Sequence, residues 1–186
     1  MRIIAGTHKG RTLVAPEGLA VRPTSDRARE ALFDILVHGR FADRPVLEDA
    51  RVLDAFAGTG AFGLEALSRG AAHASFIEND RVALAALRAN IAALGAESQA
   101  AVLPGDARRP PKAAAPVSLA FLDPPYGADL AAPALTALAA AGWFATEALV
   151  VVEVAAKEKF AAPAGFAPLD ERRYGAARLV FLRASA

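Results

Sequence analysis

A chain of 186 residues and 19.2 kDa, 54% hydrophobic and with a net charge of +1, has the size of one domain with one ordinary core. Forty-eight of its residues are alanine, yet the larger apolar residues still suffice to exclude a disordered or fibrous chain. No apolar run approaches the ~18 residues that span a bilayer, and the absence of cysteine excludes disulfides, thiolate metal sites and a Cys nucleophile.

No signal-peptide core follows Met1-Arg2, so a cytoplasmic location without membrane partners is expected. His8, His38 and His73 are scattered, and no metal site is expected. Charge is uneven along the chain: residues 1–40 carry +3, residues 41–156 carry −5, and residues 157–186 carry +3. An acidic centre between basic ends fits an acidic pocket beside a polyanion-binding surface.

In chain order, residues 2–6 and 10–14 are predicted as two short strands around a Gly-bounded turn. Thr24 or Ser25 can cap a following helix whose stripe is Ala28, Leu32, Ile35 and Leu36, with Ala31, and which stops at Gly39. From residue 51 strands and helices alternate. Strands are predicted at 51–56, 74–77, 100–103, 117–122 and 148–154, with helices at 60–69, 80–94 and 130–141. Residues 110–116 read as a loop, and 166–172 and 177–182 as a closing pair of strands. Such β-α repeats with short links predict a parallel, doubly wound sheet, with the closing pair antiparallel at one edge.

The first strand runs into Gly58, Gly60 and Gly63, a G-x-G-x-x-G spacing that opens the next helix. Glycines let the backbone turn sharply and approach a ligand. Glu78 ends the second strand twenty residues after Gly58, where a carboxylate accepts from ribose hydroxyls. This spacing does not separate a dinucleotide from S-adenosylmethionine. Asp54, just before the loop, would repel a pyrophosphate but suits a cofactor with a cationic amino group and a sulfonium. Asp106, after the third strand, can accept from an adenine amine.

Asp123-Pro124-Pro125-Tyr126 follows the fourth strand, at the carboxyl end of the sheet where open α/β folds bind ligands. Two prolines stiffen the turn. The Asp123 side chain and the Pro124 carbonyl can then accept both N–H groups of an exocyclic amine, and Tyr126 offers a face for a base. Methyl transfer from a sulfonium needs alignment more than acid–base machinery. Methylation at C5 of a pyrimidine commonly uses a Cys nucleophile, which is absent, so an amino nitrogen is the expected target.

The order 54–63, Glu78, Asp106 and 123–126 resembles a class I S-adenosylmethionine-dependent methyltransferase. Residues 2–6, Gly10-Arg11, the stretch from Arg22-Pro23-Thr24 to Phe33, residues 63–70 and Gly142-Trp143-Phe144 resemble the RsmD family over essentially the whole chain. That family often has Phe where this chain has Tyr126. The resemblance implies methylation of the N2 amine of a guanine in bacterial 16S ribosomal RNA.

It further implies a Rossmann-like, mostly parallel seven-stranded sheet with an antiparallel strand at one edge. One domain over 1–186 would hold a hairpin-helix extension at 1–40 and a cofactor-binding and catalytic core at 51–186. Cofactor contacts are expected from Asp54, Phe56, Ala57, Gly58, Thr59, Gly60, Glu78, Asn79, Asp106 and Ala107, and catalytic ones from Asp123, Pro124, Pro125 and Tyr126. RNA contacts are expected from Arg2, Lys9, Arg11, Arg22, Thr24, Arg27, Arg29 and Arg173, with Arg172 and Arg178 adding charge. The chain is small, so an assembled or assembling small ribosomal subunit is the expected substrate, with the enzyme a monomer. The alternatives are a DNA or other RNA amino-methyltransferase, an NAD-dependent oxidoreductase, and a non-catalytic RNA-binding assembly factor.

Overall fold

The computed structural model describes residues 1–16, 26–38, 41 and 46–185, without the side chains of residues 26–28. The elements are α1 (Asp26–His38), β1 (Arg51–Ala55), α2 (Ala61–Ser68), β2 (His73–Glu78), α3 (Arg81–Leu94), β3 (Ala100–Pro104), β4 (Val117–Leu122), α4 (Ala131–Ala140), β5 (Phe144–Ala155), β6 (Phe166–Tyr174) and β7 (Ala177–Ala184). A single 3-10 turn, Glu97–Gln99, leads into β3.

The sheet order is β3-β2-β1-β4-β5-β7-β6. Strands β1 to β5 pair in parallel, and β7 pairs antiparallel with both β5 and β6. The closing pair thus lies at one edge, and β7, the strand running against the rest, sits one place inside it. The chain walks outward from β1 to β3, then returns to β4 beside β1. The carboxyl ends of β1 and β4 therefore flank the crevice where open α/β sheets bind ligands.

Central strands are apolar on both faces because both faces are covered. Val52, Phe121, Val151 and Phe181 face α1, α2 and α3 with the N-terminal segment. Leu53, Leu122, Val152 and Leu182 face α4 and the loops that follow β3 and β5. The N-terminal segment shares the first core through Ile3, Leu13, Leu32, Phe33 and Leu36. No helix among the described residues is long and apolar enough to cross a membrane.

Local chemistry sets the boundaries. Asp80 caps α3, accepting from Val82 N–H at 2.9 Å and Ala83 N–H at 2.8 Å, and Gly95 ends it in the left-handed region. Edge strand β6 is largely exposed, carries Asp170, Glu171, Arg172 and Arg173, and shifts register between Pro168 and Asp170, all of which discourage edge-to-edge pairing.

Three sequence expectations shift. The first two strands reduce to one antiparallel bridge, Arg2 with Thr12, because the turn over residues 6–10 consumes most of the segment. The buried stripe of α1 runs through Arg29, Leu32, Phe33 and Leu36, while Ile35 is only half-buried. Strand β5 begins at Phe144, before the predicted start at 148; its first residues pair irregularly with β4, and Glu147 has a positive φ. Thr24, Ser25 and Gly39 lie outside the described residues.

Candidate active site

The glycine loop is held by two carboxylates from the strands beneath it. Asp54, on β1 and 1% exposed, accepts from Gly63 N–H at 2.9 Å. This satisfies one of the unpaired donors at the start of α2, which has no side-chain cap of its own. Glu78, at the end of β2, accepts from Gly58 N–H at 2.7 Å and from Asn79 and Asp80 N–H, each at 2.8 Å. Burial pushes the Asp54 carboxyl up to about 8, the Gly63 hydrogen bond opposes that, and the nearby charges of Asp123 and Glu78 add to it.

The glycines have different reasons. A Cβ at Gly63 would stand 2.3 Å from Cε1 of Phe76, and one at Gly60 would stand 2.4 Å from Cδ1 of Leu87. Gly63 therefore serves helix–sheet packing, while Gly60, at φ +84, gives both a left-handed backbone and room for α3. Gly58 has φ +55, and a Cβ there would meet nothing within 4 Å. Its demand is conformational, and the space beside it is open. Phe56, at φ 60, turns the chain out of β1 while its side chain packs on the α4-side core. Ala57 N–H donates to Ile77 carbonyl at 3.1 Å, and Thr59 follows Gly58 at the loop's crest.

The third acid, Asp106, accepts from Arg108 Nη2 at 2.6 Å and from Arg108 N–H at 2.8 Å. The Arg108 guanidinium holds the Asp106 carboxyl below its ordinary range, so this acid is an anion at neutral pH. Ala107 beside it is buried, and Asn79 is exposed after Glu78.

Asp123 continues from β4, and its N–H reaches the Ala55 carbonyl of β1 at 3.4 Å. The segment 123–126 thus starts beside the glycine loop. Pro124 is buried, Pro125 exposed and Tyr126 half-buried. Tyr126 O–H donates to Glu153 Oε1 at 2.6 Å. Glu153 lies near the end of β5, is 2% exposed, and lines with Asp123, Phe62 and Phe121 a cavity of about 10 Å³. The sequence reading missed Glu153. Its signal was a carboxylate inside Val150-Val151-Val152-Glu153-Val154, where a strand buried on both faces should carry none.

The expected RNA-contacting residues divide. Arg2, Lys9 and Arg11 are exposed on the N-terminal turn, and Arg173 is exposed on β6. Arg29 is instead 2% exposed and donates through Nη2 to the Arg2 carbonyl at 2.6 Å. It fastens α1 to the N-terminal segment and presents no charge to solvent. Arg172 pairs with Asp170 and Arg178 with Glu171. Arg22 and Thr24, and the side chain of Arg27, lie outside the described residues.

Two further residues absent from the sequence reading hold the N-terminal turn in place. Glu65 of α2 is fully buried, accepts from Ile4 N–H at 2.7 Å and Ala5 N–H at 3.0 Å, and pairs with Arg69 at 2.7 Å. Asn90 of α3 accepts from Val14 N–H at 2.7 Å and donates to the carbonyls of Val14 at 3.1 Å and Thr59 at 3.0 Å. The more voluminous depression near Asp34, Phe41 and Leu169, about 550 Å³, includes no residue of the glycine loop or of segment 123–126.

These groups fit an adenosine cofactor bearing positive charge. Glu78 and Asp106 are carboxylate acceptors, the Gly58 side of the loop is open, and Asp123 starts beside that loop. A family model described as conserved hypothetical protein 95 matches residues 1–183. The chain is 42% identical over 153 residues to ribosomal RNA small subunit methyltransferase D of Escherichia coli strain K12, covering 82% of this chain and 74% of that protein. It is 33% identical over 179 residues to the like-named protein of Haemophilus influenzae, covering 94% and 89%. The solved structure of the "Putative methyltransferase yhhF from Escherichia coli" superposes with a TM-score of 0.86 at 39% identity, covering 100% of this chain and 98% of that one. The fold is the Rossmann-like α/β fold of class I methyltransferases.

Proposed function

This chain belongs to the conserved hypothetical protein 95 family, the RsmD family, and on that premise we propose that it uses S-adenosylmethionine to methylate the exocyclic N2 amine of a guanine in 16S ribosomal RNA. One observation carries the reading. The glycine loop after β1 and Asp123–Tyr126 after β4 open side by side at the sheet's switch point. A methyl-donor pocket and an amine pocket there would share one wall.

When bound, the cofactor supplies a methyl group already activated by its sulfonium. Glu78 would hold the ribose hydroxyls, Gly58 would admit the cofactor close to the backbone, and Asp106 would accept from the adenine amine. Asp54 holds the loop by its buried bond to Gly63. Asp123 and the Pro124 carbonyl would each accept one N–H of the target amine, turning the nitrogen toward the methyl group. Asp123 need not act as a strong base, because the surplus proton can leave for water once the new N–C bond exists. Proximity and orientation are the main contributions. Tyr126 would support the base after it leaves its stack.

Arg2, Lys9 and Arg11 would meet phosphates, as the RNA-facing part of the 1–40 extension. A small recognition surface suits a structured particle, so a small subunit or its assembly intermediate is the proposed substrate. The test is transfer from labelled S-adenosylmethionine to under-modified small subunits, followed by nucleoside analysis. Label in N2-methylguanosine supports the reading, and label in another nucleoside overturns the target. Asp123→Ala should bind cofactor as the wild type does and lose most transfer; full activity would remove Asp123 from the site.

A further inference from the structure

We propose that Glu153 is a positioning residue for methyl transfer, acting through Tyr126 to fix the loop that receives the target base. The proposal rests on the reading of Asp123–Tyr126 as the amine site.

The placement is unusual on physical grounds. Glu153 stands between Val152 and Val154 near the carboxyl end of β5, next to β4. It points to the face covered by α1 and α2, since it lines the cavity bounded by Leu32, Phe62, Phe121 and Leu179. Removing a carboxylate from water is costly unless hydrogen bonds compensate. A purely structural position here would be filled better by an aliphatic residue, as its β5 neighbours are. The carboxylate instead accepts a short bond, 2.6 Å, from the Tyr126 hydroxyl.

That bond ties the far end of the tetrapeptide to the sheet. The near end is already tied through Asp123 N–H and the Ala55 carbonyl. Pro124 and Pro125 between them have fixed φ and little freedom. With both ends anchored, the phenol ring keeps one orientation and the Asp123 and Pro124 acceptors keep one spacing. A second tie reaches the same loop: Glu158 accepts from Gly127 N–H at 3.1 Å and from Ala155 N–H at 3.3 Å. It holds backbone and leaves the ring to Glu153.

The consequence is kinetic. Loss of the tie should lower kcat, because a misplaced amine reacts slowly, while leaving S-adenosylmethionine affinity unchanged, because Gly58 lies in the loop after β1 and Glu78 at the end of β2. The experiment measures methyl transfer to under-modified small subunits, cofactor affinity and thermal unfolding for wild type, Tyr126→Phe, Glu153→Ala, Glu153→Gln and Tyr126→Phe/Glu153→Ala. Tyr126→Phe removes one oxygen from a half-buried ring and should fold normally. Relatives with Phe at this position hold the ring without the tie, so the cost belongs to this chain, and Tyr126→Phe and Glu153→Ala should each lose ~3–10-fold in kcat with unchanged cofactor affinity. Glu153→Gln keeps an acceptor and should recover most of that loss. The double variant should be no worse than the weaker single one, as expected for two groups acting as a unit.

Full turnover in Tyr126→Phe overturns the positioning role while leaving the proposed reaction intact. Equal losses in Glu153→Ala and Glu153→Gln that follow their unfolding temperatures overturn it in favour of a structural role. No transfer by the wild type, with cofactor bound, overturns both the role and the reading beneath it.

Discussion

Asn90 of α3 donates to the Thr59 carbonyl at 3.0 Å and holds Val14 through both its oxygen and its amide. One side chain, 1% exposed, therefore joins a helix, the crest of the glycine loop and the exit of the N-terminal turn. Asn90→Ala would remove three hydrogen bonds to the backbone of Val14 and Thr59. Each such loss costs about 0.5–1.5 kcal/mol. The expected result is a lower midpoint in urea unfolding together with weaker S-adenosylmethionine binding by calorimetry. An unchanged midpoint would mean that water replaces the side chain at no cost.

The buried Asp54 carboxyl gives the protein an alkaline weakness. Its folded-state value is about 8 against an ordinary 3.8, with burial the main cause. Between those values the unfolded chain has released this proton and the folded chain retains it. Stability from this group therefore falls as pH rises from about 4 to 8 and levels off above. The slope approaches about 1.4 kcal/mol per pH unit from this residue alone. Asp54→Asn keeps an oxygen for Gly63 N–H and should flatten the profile. Urea unfolding of both proteins between pH 5 and pH 9 checks it, and identical slopes would remove Asp54 as the cause.

Two glycines of the loop should fail for different reasons. Gly63→Ala places a methyl group against the Phe76 ring, and overpacking of this kind costs roughly 1–3 kcal/mol. Gly58→Ala meets no atom within 4 Å and pays only for its left-handed backbone, roughly 1–2 kcal/mol. Its methyl group would intrude on the proposed cofactor space. Unfolding should report the first variant more strongly, and cofactor titration the second.

Glu65 is the anchor of the N-terminal turn, through Ile4, Ala5 and Arg69. Glu65→Ala leaves the partly buried Arg69 without this anion, a change that costs up to about 3–5 kcal/mol where both partners of a pair are buried and less here. Variants that survive should show faster exchange of the Ile4 and Ala5 amides. Slow exchange at both would mean that the turn is held by its other contacts, such as Thr7 N–H to the Ser68 carbonyl.

Arg2, Lys9 and Arg11 are exposed on that turn. Each one that meets a phosphate should add about one to the salt slope of RNA-particle binding. Replacing each by Ala should lower the slope by that amount without altering cofactor affinity. An unchanged slope for all three would place the RNA on another face.

The sequence by itself determined the strand–helix alternation, the glycine loop, Glu78 at the end of β2 and the Asp-Pro-Pro-Tyr turn. Those signals are local: periodicity, breakers and caps act within a few residues, so α3 begins at its Asp80 cap and ends at Gly95 as its letters imply. Only the tertiary structure decided which polar side chains are buried. Arg29 looks like an RNA contact in sequence, yet it stands three and four residues before Leu32 and Phe33 on the inward stripe of α1. Asn90, likewise, is three residues from Leu87 and four from Leu94, both buried. Val82 is apolar yet exposed. Glu153 and Glu65 acquire meaning from partners 27 and about 60 residues away. A polar residue on an apolar face has a role only once its partner is brought beside it, and chain folding, not local spacing, makes that meeting.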